Sequence, residues 1–153
     1  MNARTTVLAL AACLAAALAL AADAQTGTWK LNEAKSKISS GAPKNQTVVY
    51  TNAGDNIKVT VDGVDSDGKR IHNEWTGKFD GKDYPVTGDP GADTRSYAKV
   101  NDRTLNLTQK KGGKVVATGK IVVSADGKSR TVTVSGTNAQ GQKISTTAVY
   151  DKQ

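Results

Sequence analysis

The feature that most constrains this chain is a period-2 alternation of apolar and polar residues, broken at short intervals by glycine-containing dipeptides. Ile57-Lys58-Val59-Thr60-Val61-Asp62 puts three apolar residues on one side and three polar ones on the other. Ile71, Asn73, Trp75, Gly77 and Phe79 alternate with Arg70, His72, Glu74, Thr76 and Lys78. Leu105 and Leu107 alternate with Thr104, Asn106 and Thr108, and Val132 and Val134 with Thr131, Thr133 and Ser135. Side chains of an extended chain point alternately to opposite faces, so each run specifies a half-buried strand. Between the runs stand Gly54-Asp55, Asp67-Gly68, Asp80-Gly81, Gly112-Gly113, Asp126-Gly127 and Gln140-Gly141. Such pairs supply the positive-φ positions of tight hairpin turns.

The pattern predicts strands over 27–31, 47–52, 56–62, 69–79, 82–86, 94–100, 103–110, 113–124, 128–136 and 142–151. After residue 24 nothing sustains a helical 3.6-residue period. An open meander this long would expose two unpaired edges, which closure removes. The expected fold is therefore all-β: one antiparallel up-and-down barrel of eight to ten short strands. Residues 32–46 are the long irregular stretch, where Asn32 can cap a helical turn that Gly41 and Pro43 prevent from continuing. Asp89-Pro90-Gly91-Ala92-Asp93 is the second clear break.

The N-terminus has a different grammar. Arg4 precedes a continuous apolar run from Val7 to Leu20, and Ala22-Asp23-Ala24 is a small-x-small cleavage site. Charge, apolar run and small residues in that order describe a secretory signal peptide. The run falls short of the ~20 residues of a membrane span. Residues 1–24 are expected to be removed, leaving 25–153 as one secreted or periplasmic domain with Gln25 first. A lipid anchor at Cys13 is the minor alternative, because Leu10-Ala11-Ala12-Cys13 has the form of a lipoprotein box. Cys13 is the single cysteine, so the mature chain can form no disulfide. Of the 129 residues that remain, 38 are apolar, and the net charge stays at +7. Stability must come from a well-paired sheet around a modest core.

Gly27-Thr28-Trp29-Lys30-Leu31, on the first strand of a small meander, resembles the Gly-x-Trp signature of the lipocalin and fatty-acid-binding (calycin) superfamily. The resemblance implies a barrel with Trp29 near one closed end, stacked under an Arg or Lys from a late strand. Arg130 is the counterpart it indicates, since Arg130 shares a strand face with Val132 and Val134; Lys143 is the other candidate. Gly27, Trp29 and Arg130 thus form the expected barrel-closing set. Two departures stand out. Residues 32–46 cannot form the paired lid helices of fatty-acid-binding proteins, and the C-terminus reads Val149-Tyr150-Asp151 where those proteins carry Arg-x-Tyr.

Chemistry is sparsely marked. With no mature cysteine and one histidine, His72, on a polar strand face beside Glu74, no nucleophile–base set can be assembled, and no residue set supports a named reaction. A His/Cys metal site lacks ligands. Asp65-Ser66-Asp67-Gly68 with Glu74 follows part of an EF-hand loop, but Gly63 stands where the first ligand belongs, and the segment reads as a hairpin turn. No cofactor is called for and no glycine-rich loop opens a helix. The lysines are scattered over turns without interleaved aromatics, which argues against nucleic acid as a partner.

Two functions remain. One is non-enzymatic binding of a small apolar or amphipathic ligand, of the lipid or fatty-acid class, inside the barrel. The other is a filled-core barrel acting through surface contacts with envelope components or a protein. Small or polar inward positions at Gly77, Ala117, Gly119, Thr146 and Ala148 leave room for a ligand. The candidate binding residues are Tyr50, Ile71, Trp75, Phe79, Tyr84 and Tyr97, and a monomer is expected.

Overall fold

The computed structural model describes residues 23–153. The apolar run and the Cys13 box lie outside the described residues. The strands are β1 (Gly27–Leu31), β2 (Lys37–Ile38), β3 (Lys44–Ala53), β4 (Asn56–Val64), β5 (Arg70–Gly77), β6 (Tyr84–Thr87), β7 (Thr94–Asn101), β8 (Thr104–Lys111), β9 (Lys114–Val123), β10 (Ser129–Thr137) and β11 (Lys143–Lys152). Every pairing is antiparallel. From β3 onward each strand pairs with the next, and β1 pairs with both β3 and β11. Ten strands therefore close a single up-and-down barrel, the fold the alternation demanded.

The Asn32-capped turn stands where the sequence placed it, and two elements depart from the sequence reading, β2 and the end of β5. The irregular stretch after β1 holds a single 3-10 turn, Glu33–Lys35, capped by the Asn32 side chain accepting from the Lys35 N–H. It also holds β2, two residues that pair with Thr146 and Thr147 of β11. The expected strand over 69–79 ends at Gly77; beyond it Asp80 bridges to Ala98 and the Lys99 N–H donates to the Phe79 carbonyl. Among the described residues no helix is long and apolar enough to cross a membrane.

The turns between β3 and β4, β7 and β8, and β9 and β10 lie at the same end as the N-terminal segment; those between β4 and β5, β6 and β7, and β10 and β11 lie at the other. The first end is closed. Gln25 and Trp29 are buried there, with the Trp29 indole N–H donating to the Gln25 carbonyl at 2.8 Å. The Thr26 N–H donates to the Asp23 carbonyl, the Asp23 carboxylate accepts from the Gln25 N–H, and Lys99 Nζ stands 3.7 Å from it. Gly27 has φ +128°, and a side chain there would meet the Lys152 stem, so glycine lets Lys152 reach the Trp29 ring, 5.2 Å from its centroid.

Candidate ligand-binding site

The inward positions fill the barrel unevenly. On one side large rings meet. Trp75 lies edge-on to Tyr97 at 4.8 Å and to Tyr84 at 5.6 Å, and Phe79 packs on Trp75 and Tyr97 at 6.4 and 5.8 Å. Tyr50 meets Tyr97 at 6.3 Å and Phe79 at 6.4 Å. Trp75 and Phe79 are stacked, and the other pairs are tilted or edge-on, as suits rings with negative faces and positive edges. The Trp75 indole N–H is satisfied by the Arg95 carbonyl at 2.8 Å.

On the other side the inward residues are short: Ala117 of β9, Val132 and Val134 of β10, Thr146 and Ala148 of β11. The interior there is hollow. A cavity of about 630 Å³ opens at the end carrying the β4–β5, β6–β7 and β10–β11 turns. Val48, Val61, Leu107 and Ile121 complete its apolar wall, and Gly88, Pro90 and Asn138 stand at its mouth.

Of the residues expected to bind a ligand, Tyr50, Ile71 and Tyr97 line the cavity. Trp75, Phe79 and Tyr84 belong to the aromatic cluster beside it. Among the small inward residues, Ala117, Thr146 and Ala148 border the space, whereas the room left by Gly77 is taken by the Tyr84 ring, which a β-carbon would strike at 2.5 Å. Gly119 lines a shallow groove that it shares with Thr118, Lys120 and Thr133.

Polar side chains also face the cavity, and these the sequence reading passed over. Asn73, Arg95 and Gln109 lie on β5, β7 and β8, in phase with the inward positions Trp75, Tyr97 and Leu107. Arg95 is 4% exposed. Its Nη2 donates to Asn73 Oδ1 at 3.2 Å and to Asp89 Oδ2 at 3.0 Å. With the Gln109 amide oxygen turned toward it, Gln109 accepts from Nε and Nη2 at 3.2 Å.

Arg130 reaches into the deep end of the cavity from β10 and is 2% exposed. Three rings surround its guanidinium: Trp29 and Tyr50 at 4.8 Å and Tyr150 at 5.1 Å. Nη1 reaches Gln25 Oε1 at 3.4 Å, and Nε has no partner. Among the described residues no carboxylate pairs with it, so aromatic faces are the main compensation for the buried charge. Lys143, the other candidate, is exposed at the start of β11. The Tyr150 hydroxyl donates to the Asn45 carbonyl at 2.9 Å; burial pushes its pKa up to about 12, against the pull of Arg130. Burial, reinforced by Tyr97, lifts that of Tyr50 above the ordinary phenol range.

Outside the barrel, His72 Nδ1 pairs with Asp62 Oδ1 at 2.6 Å, and Nε2 lies 3.6 Å from Glu74. Among the described residues its side-chain partners are these two carboxylates. Asp65 accepts from the Asp67 and Lys69 N–H groups at 2.9 Å, an Asx turn closing the β4–β5 hairpin. Among the described residues no cluster of three potential metal ligands occurs.

The fold and its hollow interior define a closed antiparallel barrel with an apolar, arginine-bearing cavity. Among solved structures the chain is similar to a redesigned β-barrel, mFAP1, bound to DFHBI, with 18% identity over 84% of this chain and 95% of that one, TM-score 0.46. It is also similar to EF1p2_mFAP2b bound to DFHBI, with 13% identity over 87% and 97%, TM-score 0.49. A third, the redesigned barrel b11L5F_LGL, shows 13% identity over 85% and 92%, TM-score 0.43. No family model matches the chain, and no curated protein does.

Proposed function

We propose that this chain is a secreted or periplasmic, non-enzymatic binding protein that holds a small apolar or amphipathic molecule of the lipid or fatty-acid class inside its barrel. The observation that carries the reading is the cavity: about 630 Å³, open at one end, walled by Val48, Val61, Leu107, Ile121, Val132 and Val134. Sites for small ligands fall at ~300–1,000 Å³ and combine apolar walls with a few buried polar groups. The Gly-x-Trp strand and the Trp29–Arg130 stack support a place among the calycins. The N-terminal charge, apolar run and Ala22-Asp23-Ala24 support export with removal of residues 1–24.

The test has three readouts. Intact-mass measurement of the periplasmic or secreted protein should give the mass of residues 25–153. Native mass spectrometry should retain a non-protein mass. Nile red, an uncharged environment-sensitive dye, should enter at a 1:1 limit and be displaced by decanoate. A barrel that binds no dye and carries no co-purifying lipid would replace this reading with a surface-contact module.

A further inference from the structure

The two buried guanidiniums are held differently. Arg130 is enclosed by three rings. Arg95 is bound at its edge, and its one carboxylate partner comes from a loop. Asp89 lies in the β6–β7 connection at the cavity mouth, with its side chain 17% exposed against 5% for Arg95. Among the described residues, the Asp89–Arg95 bond is the sole side-chain hydrogen bond between residues 88–92 and the rest of the barrel. The wall next to that loop is thin. β6 has four residues, two pairs to β5 and two to β7, and Pro85 has no N–H to donate. On Arg95 itself Nε and Nη2 carry the bonds to Asn73, Asp89 and Gln109, and the Tyr97 side chain also faces the guanidinium.

We propose that Arg95 is an exchange site for an anionic ligand head: Asp89 occupies the guanidinium in the empty barrel, and the carboxylate of an entering amphiphile takes its place and frees residues 88–92 from their side-chain tie to the barrel. The inference rests on the barrel's holding a ligand in this cavity and names the ligand's charge and the residue that meets it. Asn73 and Gln109 fix the plane of the guanidinium. Nη1 and Nη2 can then grip two oxygens side by side, the geometry arginine favours for carboxylates. The exchange conserves buried charge. A bare carboxylate would be costly inside the barrel, but the ligand's arrives as Asp89 departs to water, where it is hydrated. A neutral hydroxyl can accept a hydrogen bond from the guanidinium but brings no charge to replace that of Asp89, so it leaves the Asp89 contact closed.

The experiment is displacement of Nile red from delipidated protein by decanoate and by decanol, which share a chain length and differ in charge. Arg95→Gln should weaken decanoate by about tenfold or more, the scale of a lost charge-assisted hydrogen bond, and leave decanol within about twofold. Asp89→Asn removes the competitor and should tighten decanoate several-fold with decanol unchanged. Hydrogen exchange of the Gly88, Asp89, Gly91 and Ala92 amides should quicken when decanoate binds and stay unchanged with decanol. If Arg95→Gln fails to fold, Asp89→Asn decides alone. Weaker or unchanged decanoate binding in Asp89→Asn, or equal competition by decanol and decanoate in the unaltered protein, overturns the exchange while leaving a ligand-binding barrel in place. Failure of Nile red to bind at all removes both.

Discussion

Arg130 carries a full charge at 2% exposure, 4.8 Å from the Trp29 ring, with its Nε unpartnered. A buried cation without a carboxylate is unfavourable unless something polarisable faces it, and here three rings do. Trp29→Ala should cost ~3–5 kcal/mol by emptying the closed end. Arg130→Ala should also destabilise, and the double mutant should fall short of the sum by about 0.5–2 kcal/mol if the stack is energetically real. Strictly additive denaturant midpoints would remove the stack from the account. His72 offers a second test. The hydrogen bond to Asp62 raises its pKa most; desolvation opposes this, and the Asp62 charge and Glu74 add to the rise. The folded value therefore lies above the unfolded one of about 6.5. Its contribution to stability is complete below about pH 6.5 and is lost as pH rises through the folded value. An NMR titration should place the imidazole above its ordinary value, and Asp62→Asn should bring it down; an unchanged midpoint in that variant would mean that Asp62 is not the cause.

Among the elements, β5 and β6 show how one absent side chain organises a sheet. Tyr84 of β6 lies across Gly77 at the end of β5, and its hydroxyl donates to Asp80 Oδ2 at 2.9 Å. Gly77→Ala drives a β-carbon against the Tyr84 and Trp75 rings and should cost ~1–3 kcal/mol, the scale of overpacking. A thermal melt matching the parent protein would show that Tyr84 swings away freely. Ten strands were legible because period-2 runs and Asp-Gly turns are local signals, written in adjacent residues. The two residues of β2 were not, since Lys37 and Ile38 become a strand only by meeting Thr146 and Thr147, more than a hundred positions away. The β5 alternation runs on to Phe79 because that ring still reaches the aromatic cluster after the ladder has ended. Periodicity records which way a side chain faces, and it does so whether or not the backbone beside it is paired.

For the whole molecule the same distinction separates facing inward from lining the cavity. Tyr50, Ile71 and Tyr97 meet both conditions, while Phe79 and Tyr84 pack on Trp75, because alternation carries no information on depth or on which half of the ring is filled. The polar groups Asn73, Arg95 and Gln109 did leave a signal: each stands in phase with apolar inward neighbours, where a solvated residue would not. This division of the interior makes the two tryptophans unequal reporters. Trp75 lies edge-on to Tyr97, a cavity-lining ring, and its indole donates to the backbone of Arg95. A ligand that shifts Tyr97 or Arg95 must alter the surroundings of Trp75 without touching it. Trp29 is sealed at the closed end between Gln25, Arg130 and Lys152. Decanoate absorbs no tryptophan emission, so any change it causes reports environment alone. In Trp29→Phe, where Trp75 alone emits, decanoate should shift or quench the fluorescence saturably at 1:1. In Trp75→Phe the emission of Trp29 should stay constant over the same titration. A response confined to Trp29 would move the ligand to the closed end and out of the cavity beside Tyr97.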